Sequence, residues 1–440
     1  MKLVLGKKLS IGLMMILISF LGKAQENLTP IELTVEKAIE IALSDNPSVI
    51  VAGQEIQKKD YAKKEVLGSL FPKIDAVGQY TYTIKKQVFA FQDQQMEVGT
   101  SHQWTGGFSA SMPIIAPTLW KSINLTQRDI ELAVESSRAS KINAVSEVKN
   151  AFYGVLLSQD SYDVFKRSYD NAIQNYIDVK HKYENGIVAE YDMIRANVRV
   201  KSLEPSMIQA ENAVNLSKMQ LKVLMGLNMD IDIQPVGKLV DYESRMYGDY
   251  LNRDTTLAAN SDLKQFDIQN KILKETLGLQ KAEFLPSLSL SSVYQWVALN
   301  EDFSINKNDY SPYSNLVVSL SVPIFSGGSR INKIKQTKIS LAQMKTQRED
   351  LVRNLQLATR NYMDAMNKSI EAAAAAKEGV SEAEKGYVIA NRMYDTGMGT
   401  MLDVNDADLA RVNANLQYNQ AIYDYLSSKA NLEKVLGIEY

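Results

Sequence analysis

The stretch YDTGMGTMLDVNDADLARV, Tyr394 to Val412, gathers the acids whose spacing could do chemistry. Asp403 and Asp406 follow the glycine pair Gly397 and Gly399. They stand three apart, so on a helix they share one face. Clustered carboxylates attract cations, and an acid at a helix start can equally serve as a cap. Thr400-Met401-Leu402-Asp403 has the form of a capping box, in which the acid meets backbone N–H groups and the positive end of the helix dipole. Asp408 points elsewhere on that helix and reads as a solvated acid. Catalysis has little else to draw on. The chain has no cysteine and two histidines, His102 in a loop and His181 near a helix end. No nucleophile–base pair or metal-ligand cluster is visible, so neither an enzyme nor a cofactor is expected.

The same outline occurs about 211 residues earlier, in YENGIVAEYDMIRANVRV: Tyr183 matches Tyr394, Gly186 matches Gly397 and Asp192 matches Asp403. Pro72 matches Pro286, Pro113 matches Pro323, and KVLMGL matches KVLGI at nearly the same offset. Repeats at a fixed spacing mark a duplicated unit. The expected organisation is two structural repeats, about 34–227 and 254–438, joined by an irregular belt at 228–253.

Other properties of the 440-residue chain narrow the class. A net charge of −2 gives no basic surface for nucleic acid, and 10 prolines leave room for long helices. Residues 1–24 read as a secretory signal: Lys2, Lys7 and Lys8, an apolar run from Leu9 to Gly22, and small residues at Gly22 and Ala24 before a cut at Gln25. That run of about 14 residues is short of the roughly 20 that a transmembrane anchor needs.

The elements that must position the acids follow from periodicity. Apolar residues recur every three or four positions over Thr118–Glu184 and Ser329–Thr396, the mark of a long helix with a narrow seam. Each such helix would be about 100 Å long at 1.5 Å per residue. Returning helices are expected over Ala189–Leu227 and Thr400–Gly437, with Gly186 and Gly397 at the turns. Opening helices are expected over Thr34–Leu70 and Asp254–Leu285. Between opening and long helices, two segments per copy alternate apolar and polar residues, for example Ile74, Ala76, Gly78, Tyr80 and Tyr82 against Asp75, Gln79 and Thr81. Strands of about ten residues with one apolar face fit a membrane β-barrel, with Tyr80, Tyr82, Tyr294 and Trp296 as an aromatic girdle. A soluble sandwich would show the same alternation. Long polar loops are expected at Lys85–Thr105 and Ala298–Ser314. Four strands cannot close a barrel, and open edges are not tolerated in lipid, so several protomers must combine.

In this order, the motifs AEFLPSL at Ala282 to Leu288, VPIFSGGSR at Val322 to Arg330 and YDTGMGTMLDV at Tyr394 to Val404 resemble those of the TolC-type outer-membrane efflux family. The resemblance spans essentially the whole chain after the signal. It implies a mostly α fold with a membrane β-barrel portion: a trimeric α-barrel tunnel plus a 12-stranded barrel, four strands per protomer. It implies an exit duct in the outer membrane of a Gram-negative bacterium, with the helical barrel in the periplasm. The duct would serve a tripartite system with a periplasmic adaptor and an inner-membrane transporter. The resemblance places Asp403 and Asp406 at the periplasmic gate, makes Tyr394 and Asp192 its supporting contacts, and makes Gly186 and Gly397 the tip turns for adaptor docking. Where some members carry a basic latch residue, this chain has Gly399, so a salt bridge from that position is excluded. A type I protein-secretion duct is the alternative within the class, and an exported coiled-coil scaffold or adhesin lies outside it.

Overall fold

The computed structural model describes residues 31–91, 94–248, 255–303 and 309–440. The signal expected at 1–24 lies outside the described residues, as do the end of the belt segment and parts of both polar loops.

The chain divides into two compact units. One comprises residues up to Ile50, Ser140–Asn260 and Leu355–Tyr440; the other comprises Val51–Ala139 and Ser261–Asn354. Two long helices are each shared between the units: α3, Pro117–Glu184, and α7, Ser329–Asp395. Their ends fall within a residue of the expected ones, because Pro117 fits a first helical turn and a glycine turn ends each helix. The returning helices are α4, Glu190–Met225, and α8, Met401–Leu436.

The opening helices depart from expectation. The first is broken into α1, Val35–Asp45, and α2, Pro47–Gly68, and the second, α6, starts only at Ser261 and ends at Ala282. Pro47 lacks an N–H and pushes the residue before it out of the helical region. Asn46 is accordingly extended (φ −62°, ψ 123°), and its Oδ1 accepts from the N–H of Ser48 at 2.8 Å to restart the helix. Asn260 holds the same conformation (φ −58°, ψ 125°) before α6. Each asparagine also donates its side-chain Nδ2 to a late carbonyl of a returning helix. Asn46 reaches Leu224 and Asn260 reaches Val435, both at 2.7 Å.

The first unit has the main core. Leu33, Ile39, Phe152, Leu156, Leu221, Met225, Met366, Ile422 and Tyr425 are fully buried there. The belt segment joins this core rather than hanging free. Strand β6, Ile233–Pro235, pairs in parallel with β1, Ile31–Leu33, and Leu239 and Met246 are buried. A short helix, α5, Glu243–Gly248, follows. The buried carboxylate of Asp160 accepts from the N–H of Leu239 at 3.0 Å and fixes the segment onto α3. Burial pushes the Asp160 carboxyl above its ordinary value, and that hydrogen bond pulls it back.

The second unit contains a four-stranded antiparallel sheet, ordered β2 (Lys73–Tyr82), β5 (His102–Ile115), β7 (Ser287–Asn300), β8 (Ser311–Ser321). Register places Ile74, Ala110, Ser292 and Leu316 in one row and Ala76, Phe108, Tyr294 and Ser314 in another. Side chains alternate between faces along a strand, so Tyr80, Tyr82, Tyr294 and Trp296 share this apolar face. Tyr80 lies 4.4 Å from Trp104, and Tyr294 lies 4.9 Å from Trp296, centroid to centroid. β2 and β8 are the sheet's edges. The segment expected as a polar loop at Lys85–Thr105 instead contains a two-stranded ribbon, β3 (Gln87–Phe91) with β4 (Gln94–Val98). Val88, Phe89 and Val98 supply the β-branched and aromatic residues that favour strands.

Candidate functional site

The expected site residues lie around the two helix-to-helix turns, and both turns are built alike. At the end of α3, the N–H of Gly186 donates to Tyr183 O and that of Ile187 to Lys182 O, both at 2.8 Å. At the end of α7, Gly397 donates to Tyr394 O at 3.1 Å and Met398 to Met393 O at 2.9 Å. This is the Schellman pattern, which needs a left-handed residue after the helix; φ is 72° at Gly186 and 73° at Gly397. Both glycines are exposed, as are their neighbours Ile187 and Met398. Gly399 is constrained by space instead, since a Cβ there would lie 3.0 Å from Met393 Cβ.

Asp403 closes a capping box at the start of α8. Its Oδ2 accepts from the N–H of Thr400 and from the Thr400 hydroxyl, each at 2.7 Å, and its own N–H donates to Thr400 Oγ1 at 3.3 Å. The Thr400 hydroxyl, and then its N–H, hold the Asp403 carboxyl below its ordinary value. Asp406 is one turn on and, like Asp403, exposed. Met401 and Val404, on the other side of the helix, are buried with Val179, Ala196 and Ala390. The first turn is therefore oriented by packing, with both carboxylates left to solvent within the protomer.

Asp192 and Tyr394 are brought together. Tyr394 is half-buried against the same cluster, and its hydroxyl is buried with no hydrogen-bond partner among the described residues. Burial pushes its phenol pKa up, and the carboxylates of Asp192 and Asp395 push it further. The basic group at this ring is Lys182, whose Nζ lies 4.9 Å from the Tyr394 centroid and 3.0 Å from Asp395. The turns are thus tied by α3 to α7 contacts that do not involve position 399.

Asp408 is not a solvated acid. It is 6% exposed and forms the centre of an ionic cluster linking α3, α4, α7 and α8. Its Oδ2 accepts from Arg199 at 2.9 Å and from the Ser168 hydroxyl at 2.5 Å, and its Oδ1 accepts from Arg411 at 2.7 Å. Arg411, also 6% exposed, lies 3.9 Å over the Tyr387 ring and 3.7 Å from Glu384. The missed signal is register: Met401, Val404, Asp408, Arg411 and Val412 follow the three-and-four spacing of the buried seam.

Among the described residues no helix is long and apolar enough to cross a membrane, so crossing would rest with the strands. The family model described as outer membrane efflux protein matches the chain twice, over residues 38–227 and 252–438. The chain belongs to the outer membrane efflux protein family. The outer membrane protein TolC of Vibrio cholerae is 23% identical over 343 residues, covering 76% of each chain. The alkaline protease secretion protein AprF of Pseudomonas aeruginosa is 24% identical over 315 residues, 70% of this chain and 64% of that one. The CmeC outer membrane channel of Campylobacter jejuni superposes with a TM-score of 0.74 at 16% identity, over 92% of this chain and 85% of that one. This outer membrane efflux protein is therefore a duct component with the TolC-like fold, mostly helical with a four-stranded sheet.

Proposed function

We propose that three copies of this efflux protein close one 12-stranded barrel in the outer membrane of a Gram-negative bacterium. In that assembly the helical part projects into the periplasm and meets an adaptor and an inner-membrane pump. The two structural repeats at 34–227 and 254–438 supply two strands each. The observation that carries this reading is the sheet with edges β2 and β8 and one aromatic, aliphatic face. Unpaired strand edges in hydrocarbon cost several kcal/mol per polar group, so β2 and β8 must find partners, and other copies provide them. Twelve strands leave room for a channel, whereas eight would be filled by side chains. In the trimer, the exposed carboxylates Asp403 and Asp406 repeat about one axis and form the periplasmic gate. Tyr394 and Asp192 support it, and the turns at Gly186 and Gly397 dock the adaptor. The mass of detergent-extracted protein tests the assembly: three chains are expected, with a mature start at Gln25, and a monomer in mild detergent overturns it. A protein-secretion duct is the second reading, favoured by the match to the secretion protein AprF. Loss of a secreted protein, rather than of small-molecule resistance, on deletion of the gene would decide for it.

A further inference from the structure

The main core of the first unit is not completely filled. A cavity of about 150 Å³ lies among α1, α3, the belt segment and α8. Its apolar lining is Val35 and Ile39 of α1 with Leu426 and Ala430 of α8, all buried. Tyr153 of α3 and Tyr242 of the belt also line it, with ring centroids 5.3 Å apart and planes at 75°. Tyr440 borders it, its ring 5.6 Å from Lys149 Nζ.

The polar groups of this lining are unequally satisfied. Lys149 pairs with Glu433 at 2.7 Å, so those two charges cancel. Arg245 lies 5.4 Å over the Tyr242 ring and forms no ion pair among the described residues. Three cations, Lys149, Arg245 and Lys429, stand against two acids, Glu36 and Glu433. Tyr153 is only 8% exposed, and its hydroxyl makes no hydrogen bond among the described residues. A buried hydroxyl without a partner is costly, so one in a cavity wall points to something that bonds it there. Burial first, then Tyr242 and Glu433, push its phenol pKa up and keep the hydroxyl a donor.

Size and chemistry narrow the occupant. An apolar cavity of this volume holds one benzene ring. Aromatic walls favour a ring in edge-to-face contact. A guanidinium favours a carboxylate, which it can bind through two hydrogen bonds. We propose that this cavity binds a small aromatic monocarboxylate, its ring against Tyr153 and Tyr242 and its carboxylate on Arg245. The Tyr153 hydroxyl donates to the same ligand. Occupancy ties the belt to α1, α3 and α8, so it stabilises the core of the first unit.

Benzoate is the probe, titrated calorimetrically into the whole detergent-extracted protein, with benzyl alcohol and benzylammonium as neutral and cationic counterparts. Benzoate should bind saturably and raise the thermal midpoint, benzyl alcohol should bind more weakly, and benzylammonium should not bind. Arg245 is exposed, so Arg245→Gln leaves the core packing in place. It should weaken benzoate by about tenfold or more, the loss of charge-assisted hydrogen bonds, and leave benzyl alcohol unchanged. Tyr153→Phe keeps the ring and should weaken benzoate several-fold. No saturable benzoate binding to the wild type, or equal affinity in Arg245→Gln, overturns the site. Benzylammonium binding as tightly as benzoate overturns the charge assignment, and an unchanged affinity in Tyr153→Phe overturns the part given to the hydroxyl. No transport is measured, so a negative result here leaves the duct reading standing.

Discussion

Arg199 on α4 donates to Asp408 on α8 at 2.9 Å, with side chains 20% and 8% exposed. The bond crosses from one helical pair to the other inside a single protomer, and Arg411 and Ser168 complete the coordination of the same carboxylate. Removing one partner of a buried pair leaves the others uncompensated, a loss of about 3–5 kcal/mol. Asp408→Ala is expected to lower the thermal midpoint of the helical signal strongly. Asp408→Asn, which keeps acceptor capacity, should cost less. A surface substitution changes stability by roughly 0.5 kcal/mol or less, so a silent Asp408→Ala would show the cluster to be solvated in solution.

The two asparagine junctions give a second expectation. Asn46→Ala removes both the cap on α2 and the donor to Leu224 O, and Asn260→Ala removes the donor to Val435 O. Each loss should destabilise the first unit by about 1–2 kcal/mol. Asn46→Asp keeps the cap and loses the donor, so its denaturation midpoint should fall between wild type and Asn46→Ala. Equal midpoints for all three would remove the junction from the list of stabilising contacts.

Much of this fold was legible because period carries it. The apolar seams from Val145 to Tyr183 and from Leu351 to Tyr394 repeat often enough to give α3 and α7 to within a residue. Alternation located all four strands of the sheet, though β5 proved longer than the segment around Phe108, Ala110 and Met112 that showed it. The break at Asn46-Pro47 was missed because the expected opening helix runs through Pro47, a residue that fits the first turn of a new helix and not a helix interior. Asp408 was missed for a different reason. A charged residue in a seam position looks solvated until its partner is known, and Arg199 is about 209 residues away in sequence, on a different helix. At the turns, the glycines and the Thr400–Asp403 box were readable because they are local; the lysine at the Tyr394 ring was not, since it comes from the other repeat.

For the turns, Gly186→Val and Gly397→Val force a β-branched residue into the left-handed region. The strain is about 1–2 kcal/mol or more and falls on the last turn of α3 or α7. Since nothing lies within 4 Å of a Cβ at either place, packing is not disturbed directly. Trimer yield in detergent should stay near wild type while co-purification with the adaptor and efflux decline. Normal efflux with a defective trimer would contradict the docking role.

The acids of α8 give a fourth expectation. Asp403→Ala with Asp406→Ala should weaken cation selectivity in single-channel recordings and abolish block by a multivalent cation added on the periplasmic side. Unchanged selectivity and block would leave Asp403 as a cap alone. Its titration has a definite sign. The folded carboxyl sits below 3.8, so its stabilising contribution is present above that value and is lost as pH falls through the lower folded value. Helicity at the start of α8 should thus hold from neutral pH to about pH 4 and fray in stronger acid. Fraying that begins near pH 6 would assign it to another group.

The pairing of β1 with β6 also governs when this protein can finish folding. Ile31 faces Ile233, and Leu33 is fully enclosed by a core that includes Ile422 and Tyr425. Ribosomes deliver the chain in sequence order, so β1 waits about 200 residues for its partner strand and about 390 for Ile422 and Tyr425 of the same core. Contacts so distant in sequence close slowly. Until they do, Leu33 and Ile39 are exposed on an unfinished chain, the state most open to aggregation. A truncation ending before α8 therefore leaves this core without Ile422 and Tyr425 and should be degraded rather than half assembled.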